Sequence, residues 1–226
     1  MSGDFAYVDE RVPGIRWDAK YATWDNFTGR PVDGYHANRV VGTVALCTAL
    51  ERARDEAASH GFGLLLWDAY RPQRAVDDFL RWSRQPEDGR TKLRYYPNVA
   101  RADMFELGYV ARRSGHSRGS AVDLTLHDLA TGEPVEMGGD HDLMDVVSHH
   151  GADDIPKAAT RNRETLRAIM EASGFSAHPA EWWHSTFTTG GLRLSTDQGR
   201  VQKQRPWTSQ LECVGPGESN SPGPSD

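Results

Sequence analysis

The sequence predicts an α+β fold in a single domain, and three observations lead to this prediction. Several segments repeat apolar residues at helical spacing, and others are short apolar or alternating runs typical of strands. One of these runs is followed by a turn sequence, DLATGEPV, that leads into a further strand. The chain has 226 residues, 38% of them hydrophobic, and no internal repeat, which suits one core.

The N-terminal half is predicted to contain two helices around one buried strand. Residues 4–36 mix aromatics with Asp, Gly and Asn, which is typical of loops and short extended pieces. Residues 41–59 repeat Ala, Val and Leu at helical spacing and stop before a glycine, so they are predicted to form a helix. The apolar run 62–70 is short enough for a buried strand, and Pro72 then opens a helix through Trp82.

The C-terminal half is predicted to add a helix and further strands. A short helix is expected within 99–110, and residues 120–126 alternate as a strand before the DLATGEPV turn. Residues 158–172 have the apolar spacing of another main helix, which stops at a Ser-Gly pair. Residues 175–187 should then contain the last core strand.

A folded domain is expected over residues 1–207, followed by a disordered tail, rich in Gly, Pro and Ser, over 208–226. The two cysteines, Cys47 and Cys213, are too few and too far apart for a disulfide framework or a cysteine-based zinc site. Both are expected to be reduced thiols, with Cys47 in the core.

Composition and charge argue against two classes of partner. The formal net charge is −6, with acidic and basic residues intermixed, unlike the one-sided basic surface of a nucleic-acid-binding protein. No apolar run approaches the ~18 residues of a membrane span. The N-terminal residues are acidic and polar, unlike a signal peptide, so a cytoplasmic protein is expected.

Four residues in two short segments have the side-chain types of a catalytic zinc site. His116 and Asp123 lie in SGHSRGSAVD, and Glu181 and His184 lie in EWWH. Two imidazoles and one carboxylate suit a single Zn²⁺ per chain and leave one tetrahedral position open for water or substrate. The same ligand types also hold iron, manganese or cobalt. Glu181 has no evident structural partner in the sequence, which makes it the natural general base.

The spacing within each segment predicts how the backbone presents these side chains. A glycine-flanked loop that folds back over the following strand can bring His116 to Asp123. Along EWWH, a regular strand would send Glu181 and His184 to opposite faces of the sheet. Glu181 is therefore expected on a turn or bulge just before the strand that carries His184.

Each residue also has an ordinary structural interpretation. A histidine in a glycine-rich loop is often a surface or capping residue, and His184, beside two tryptophans, could pack in the core. Glu181 could cap a helix or pair with an arginine, and Arg71 could be a structural partner of Asp68. The joint spacing of the motif favours the metal site instead. The remaining histidines considered are interpreted as solvated loop residues: His127, His141, His149, His150 and His178.

Taken together, the motifs resemble a known family. The pattern S-x-H-x-x-G-x-A-x-D at 114–123, followed by E-x-W-H at 181–184, resembles the D-alanyl-D-alanine dipeptidases of the vancomycin-resistance type. The upstream segment WDAYRP matches as well, and the resemblance extends to roughly residue 207. It implies a central, mostly antiparallel sheet that carries the zinc site and is flanked by helices. D,D-carboxypeptidases and the hedgehog signalling domain share that fold.

The resemblance also implies a role for each matching residue. His116, Asp123 and His184 would bind Zn²⁺, Glu181 would be the general base, and Arg71 would stabilise the transition state. A guanidinium suits that last task because it is always charged and offers several donors to an oxyanion.

A free dipeptide carries an ammonium and a carboxylate, and the resemblance implies partners for both. Hydroxyl and backbone groups near Ser114 would bind the carboxylate, and Asp142 with Tyr21 and Tyr35 would bind the ammonium. The expected partner is thus a small dipeptide, with no nucleic acid and no membrane. The sequence leaves a homo-oligomer open.

Three functions remain open at this point. The first is zinc-dependent hydrolysis of D-alanyl-D-alanine, linked in this family to glycopeptide resistance and cell-wall metabolism. The second is a peptidoglycan D,D- or L,D-carboxypeptidase or endolysin, which the absence of an export signal or wall-binding repeats disfavours. The third is a zinc-containing binding module without turnover, which the presence of Glu181 and Arg71 disfavours.

Overall fold

A computed structural model describes residues 4–188. Over this range its α-helices are Val8–Arg11 (α1), Val44–Ser59 (α2), Gln73–Ser83 (α3), Lys92–Tyr95 (α4) and Lys157–Ala172 (α5). Its strands are Phe5–Tyr7 (β1), Arg16–Trp17 (β2), Val41–Thr43 (β3), Phe62–Asp68 (β4), Ala121–Asp128 (β5), Phe175–His178 (β6) and Glu181–Phe187 (β7). The predicted domain end at 207, the predicted tail and Cys213 lie outside the described residues.

Five of the strands form one sheet in the order β2-β4-β5-β7-β6. The β2–β4 pair is parallel, and the other three pairs are antiparallel. Strands β1 and β3 pair antiparallel in a separate two-stranded sheet. The predicted α+β class, with a mostly antiparallel central sheet and flanking helices, is confirmed.

The two faces of the central strand β5 have different surroundings. Alternation along the strand sends Val122, Leu124 and Leu126 into the main core, which helices α2 and α5 also line. The opposite face therefore carries Asp123 and its neighbours at every second position. A second apolar cluster, rich in aromatic side chains from α3 and the loops, lies apart from the main core. The polar face of β5 is where the candidate site lies.

The main helices occur where periodicity predicted them, with small shifts at their ends. Helix α2 begins at Val44 rather than 41, because Thr43 is its N-cap and accepts a hydrogen bond from the Leu46 amide at 3.2 Å. Residues 41–43 form β3 instead. None of the helices within residues 4–188 has the length and apolar composition of a membrane span.

Two predicted elements are shorter than expected. The short helix expected within 99–110 is a single 3₁₀ turn, Arg101–Asp103, because the buried Arg101 bonds to Glu87 at 2.9 Å and this long-range pair fixes the segment. The strand expected after the DLATGEPV turn is reduced to one isolated bridge between His127 and Pro134. A proline lacks the amide that a longer ladder requires.

The interpretation of His127 as a solvated loop residue is also wrong, since it is a buried residue of β5 that packs on Gly63 of β4. A β-carbon on Gly63 would lie 2.2 Å from His127 Nε2. We expect Gly63→Ala to lower the free energy of unfolding by about 1–3 kcal/mol, as overpacked cores do. Thermal or denaturant unfolding measures this.

The matched control for Gly63→Ala is the double variant with His127→Ala, in which the clash is relieved. Its loss of stability should be smaller than the sum of the two single losses. Additive losses, or an unchanged melting temperature for Gly63→Ala, would contradict the proposed packing.

Candidate active site

His116 is held by a tight turn directly before β5. It begins a 3₁₀ turn, His116–Arg118, that ends at Gly119, which has a left-handed φ of 66°. A β-carbon at Gly119 would lie 2.7 Å from the Phe5 ring, so the close approach requires glycine. The Arg71 amide donates a hydrogen bond to the His116 carbonyl at 3.2 Å, which ties this turn to the segment after β4.

The hydrogen bonds of His116 determine which ring nitrogen faces the site. His116 Nδ1 lies 2.7 Å from the Ala69 carbonyl oxygen, which accepts only, so Nδ1 carries the proton. In the neutral ring, Nε2 then presents a lone pair. Nε2 lies 3.3 Å from Asp123 Oδ2 and 3.2 Å from His184 Nδ1. This arrangement is typical of a histidine that binds a metal and is oriented by a backbone carbonyl.

Asp123 and His184 lie directly opposite each other on β5 and β7. His184 Nδ1 is 3.0 Å from Asp123 Oδ1, and its other nitrogen is 3.4 Å from Thr186 Oγ1. The fold thus brings together a loop residue and two residues of neighbouring strands. One ligand atom each from His116, Asp123 and His184 lies within 4.8 Å of the other two.

These three groups fit a tetrahedral cation. Bonds of about 2.0–2.2 Å around a zinc ion separate its ligand atoms by roughly 3.3–3.6 Å. The two histidine nitrogens are 3.2 Å apart, and each lies 3.0–3.3 Å from one of the two Asp123 carboxylate oxygens, which is close to that spacing. Lone pairs and a carboxylate that converge in a buried place repel one another unless a cation or a proton lies among them. The arrangement is therefore suited to a divalent metal ion.

Glu181 reaches the same place through an irregularity in β7. Strands β6 and β7 pair regularly as far as Ala177 and Ser185, and the register then shifts so that His178 pairs with Glu181. Glu181 Oε2 lies 3.6 Å from His184 Nδ1, although a regular strand would separate these side chains. The predicted irregularity is confirmed, but Glu181 is the first residue of β7 rather than the residue before it.

The surroundings of Glu181 favour proton exchange near neutral pH. Burial raises the pKa of Glu181 to about 7, although the nearby His184 opposes the shift. A carboxyl group with such a pKa can both accept and release a proton at neutral pH. A cation bound beside it would favour the ionised form, which is the form that accepts a proton.

Arg71 lies between two carboxylates. Its Nε donates to Asp68 Oδ2 at 2.9 Å, and its Nη2 lies 3.5 Å from Asp123 Oδ2. The structural pairing with Asp68 that the sequence left open therefore exists. It does not exclude another role, because Arg71 also lines the cavity described below. Tyr35 donates to the second oxygen of Asp68 at 2.8 Å, so it helps to hold the carboxylate that holds Arg71.

Asp142 and Tyr21 form a buried pair at one side of the site. The Tyr21 hydroxyl lies 2.8 and 3.0 Å from the two carboxylate oxygens of Asp142. Asp142 has a left-handed φ of 61°, an unusual conformation for a residue other than glycine and one often found at functional sites. Ser114 lies in the loop before His116, whose amide donates to the Ser114 hydroxyl at 3.1 Å.

Two histidines interpreted as solvated loop residues belong to this region. His141 is buried, and its ring packs on Trp67 with centroids 4.7 Å apart. Its Nε2 lies 3.6 Å from Asp123 Oδ2 and 3.5 Å from Asp142 Oδ1. His178 is exposed as predicted, but it is the last residue of β6 rather than a loop residue, and it lines the cavity. The only sequence signal for His141 was its position next to Asp142.

Most of these groups line one cavity of about 260 Å³. Eight of the nine predicted site residues line it, and Tyr35 is the exception among them. Ligand pockets commonly measure about 300–1,000 Å³, so this cavity suits a small ligand. The Tyr21–Asp142 pair, three side chains suited to bind a metal ion, a half-buried glutamate and an arginine therefore face one small space.

Comparison with known proteins shows the family to which the chain belongs. The family model described as D-ala-D-ala dipeptidase matches residues 1–201. A Streptomyces coelicolor protein named D-alanyl-D-alanine dipeptidase is 70% identical over 82% of this chain and 92% of its own length. Proteins of the same name from Enterococcus faecalis and Escherichia coli are 58% and 36% identical, each over 81% of this chain and over 91% and 86% of their own lengths. The chain therefore belongs to the D-ala-D-ala dipeptidase family of peptidases.

Proposed function

We propose that this protein is a zinc-dependent dipeptidase that hydrolyses D-alanyl-D-alanine to two molecules of D-alanine. The observation that carries the proposal is the convergence of His116, Asp123 and His184 beside Glu181 and Arg71 in one small cavity. The name shared by relatives that are 58–70% identical to this chain supports the substrate.

We assign His116 Nε2, a carboxylate oxygen of Asp123 and His184 Nδ1 as the zinc ligands. A zinc ion bound there would lower the pKa of water from 15.7 to about 7 and polarise the scissile carbonyl. The carbonyl of Ala69 holds the His116 ring in the required tautomer, and the Thr186 hydroxyl lies at the outer nitrogen of His184. Both contacts fix the orientation of the ligands.

Glu181 is then placed to move the proton. Its carboxylate takes a proton from the attacking water while the oxygen of that water bonds to the carbonyl carbon. The same carboxyl group passes the proton to the amide nitrogen as the C–N bond breaks, so that the second D-alanine leaves as an amine. Nη2 of Arg71, 3.5 Å from Asp123 Oδ2, donates to the oxyanion that develops between these steps.

The rest of the cavity selects a short, zwitterionic substrate. Asp142, held by the Tyr21 hydroxyl, is assigned to the substrate ammonium, and the Ser114 region to the carboxylate. Tyr35 acts indirectly, because it bonds to Asp68 and does not line the cavity. A cavity of about 260 Å³ favours a dipeptide over a long wall peptide.

We also retain a cytoplasmic location and a role in cell-wall metabolism as proposals. Cell fractionation would test the location, and deletion of the gene would test the role.

The test is release of D-alanine from D-alanyl-D-alanine by the purified protein, together with its metal content. We expect one zinc ion per chain, turnover that a chelator abolishes and zinc restores, and no turnover of an N-acetylated or longer wall peptide. Bound zinc without dipeptide turnover would overturn the dipeptidase assignment. Turnover of wall peptides would then indicate a carboxypeptidase, and no turnover at all would indicate a binding module.

We further expect His141 to support the metal site, since its Nε2 faces the Asp123 carboxylate at 3.6 Å. Replacing His141 with phenylalanine keeps the packing on Trp67 but removes the donor. We expect zinc affinity to fall by about 10- to 100-fold, as for other residues that orient metal ligands. Competition with a fluorescent chelator measures this affinity. His141→Gln, which retains a donor, should lose less zinc affinity than the phenylalanine variant. Equal losses of zinc affinity in the two variants would contradict the prediction.

A further inference from the structure

We propose that Arg118 binds the C-terminal carboxylate of the substrate and determines specificity for a free carboxylate over a neutral end. This inference rests on the proposed function and assigns a residue to the half of the substrate whose charge has no cationic partner in the mechanism above. Ser114 offers a hydroxyl there, but no charge.

The Arg118 guanidinium is available for a ligand. The side chain is exposed and lines the cavity, and it has no ion pair or side-chain hydrogen bond with any residue from 4 to 188. Several other arginines are paired with acidic groups, as Arg30 is with Asp78 and Arg101 with Glu87. An unpaired arginine that faces a cavity can bind an anion without first breaking a contact.

The two ring nitrogens of His184 face different parts of the cavity. One ring nitrogen of His184 faces Asp123, which in turn contacts Arg71. Arg71 contacts the Tyr21 hydroxyl, and that hydroxyl bonds to Asp142 in the ammonium pocket. The other nitrogen faces Thr186 Oγ1 at 3.4 Å.

Arg118 lies near Thr186, because both side chains adjoin Gly115. A β-carbon built on Gly115 would lie 3.9 Å from Thr186 Oγ1 and 3.8 Å from Arg118 Nη2. Gly115 thus adjoins both the hydroxyl beside the outer nitrogen of His184 and the guanidinium. The order across the cavity is therefore an acidic end, the proposed metal centre and a basic end.

This order of charges matches a zwitterionic dipeptide whose peptide bond lies at the metal centre. With its ammonium at Asp142, the substrate carboxylate points past His184 toward Arg118. A guanidinium presents paired N–H groups that match the two oxygens of a carboxylate. An arginine at this position would therefore hold the leaving D-alanine half by its charge and its geometry.

The experiment compares two substrates, D-alanyl-D-alanine and its C-terminal amide, in wild type and in Arg118→Gln. We expect Arg118→Gln to lower kcat/KM for the acid by roughly 10- to 100-fold, mainly through KM, and to leave kcat/KM for the amide nearly unchanged. Wild type should prefer the acid by a similar factor, and the variant should lose that preference. A purely structural effect would lower kcat/KM for both substrates by the same factor and would overturn the assignment.

Two neighbouring arginines provide controls. Arg112→Gln changes an exposed arginine of the same loop that is not among the cavity-lining residues, so its preference for the acid should stay that of wild type. Arg113 does line the cavity, and loss of the preference in Arg113→Gln but not in Arg118→Gln would overturn the choice of Arg118. A loss that disappears at high salt would indicate long-range attraction instead of a direct contact, and would overturn it too.

A binding measurement separates this inference from the proposed function. In the Glu181→Gln background, calorimetry of the acid and the amide needs no turnover, and Arg118→Gln should weaken binding of the acid alone. If wild type does not hydrolyse the dipeptide, the proposed function fails, and the calorimetric comparison still decides the role of Arg118. Equal binding of acid and amide by the Glu181→Gln protein would overturn it.

Discussion

Replacing Glu181 with glutamine is expected to lower kcat for D-alanyl-D-alanine by about 10²- to 10⁴-fold, the usual contribution of a general base. The amide has the size of the carboxyl group but cannot accept the proton of the attacking water. Burial raises the pKa of Glu181 to about 7, which marks it as a group able to exchange protons at neutral pH. Steady-state kinetics with a continuous assay for D-alanine measure the loss.

Glu181 lies 3.6 Å from His184, a proposed zinc ligand, so the variant could also lose activity by losing zinc. The metal content of the variant must therefore be measured together with its activity. We expect Glu181→Gln to keep one zinc per chain and the melting temperature of wild type to within a few degrees. Glu164→Gln, at an exposed position of α5, makes the same chemical change away from the site and should retain full activity. Activity of Glu181→Gln within tenfold of wild type would exclude Glu181 as the base. Loss of zinc would instead make it a ligand.

Periodicity and motifs predicted most of the fold and the proposed metal ligands. The main helices have apolar faces that repeat every three or four residues, and a helix is a local structure, so its signal lies within one window of sequence. His116 and Asp123 were identified because the glycine loop and the strand that present them are contiguous. The irregularity at Glu181 was predicted because two side chains of one strand had to face the same way.

Contacts between distant segments were not predictable in this way. Residues 99–110 have a plausible helical pattern, but the buried pairing of Arg101 with Glu87 decides their conformation. His141 lies in a polar loop, and nothing local indicates that this loop covers the polar face of β5 and buries the ring against Trp67. The bond from Tyr35 to Asp68 likewise appears only once β4 and the N-terminal loops are in place.

Replacing Arg71 with lysine is expected to lower kcat by about 10²- to 10³-fold, the loss typical of removing an oxyanion donor. Lysine keeps a positive charge near Asp68 and Asp123, but its donors all lie on one nitrogen, so they do not reproduce the separate Nε and Nη2 donors of the planar guanidinium. Arg71→Ala is less informative. It would leave the buried Asp68 without its positively charged partner and lower the free energy of unfolding by about 3–5 kcal/mol.

A transition-state analogue distinguishes an oxyanion donor from a structural partner of Asp68. If Arg71 donates only when the carbonyl becomes tetrahedral, Arg71→Lys should lower the affinity for a phosphinate analogue of the dipeptide by the same factor by which it lowers kcat/KM. KM for the dipeptide should change little. If Arg71 only supports Asp68, Asp68→Asn and Arg71→Lys should show similar losses in rate and stability. The affinities for the analogue and for the substrate should then fall by the same factor. The first result requires the guanidinium to reach into the cavity during the reaction, because a contact that exists equally in the ground state cannot discriminate between the two ligands.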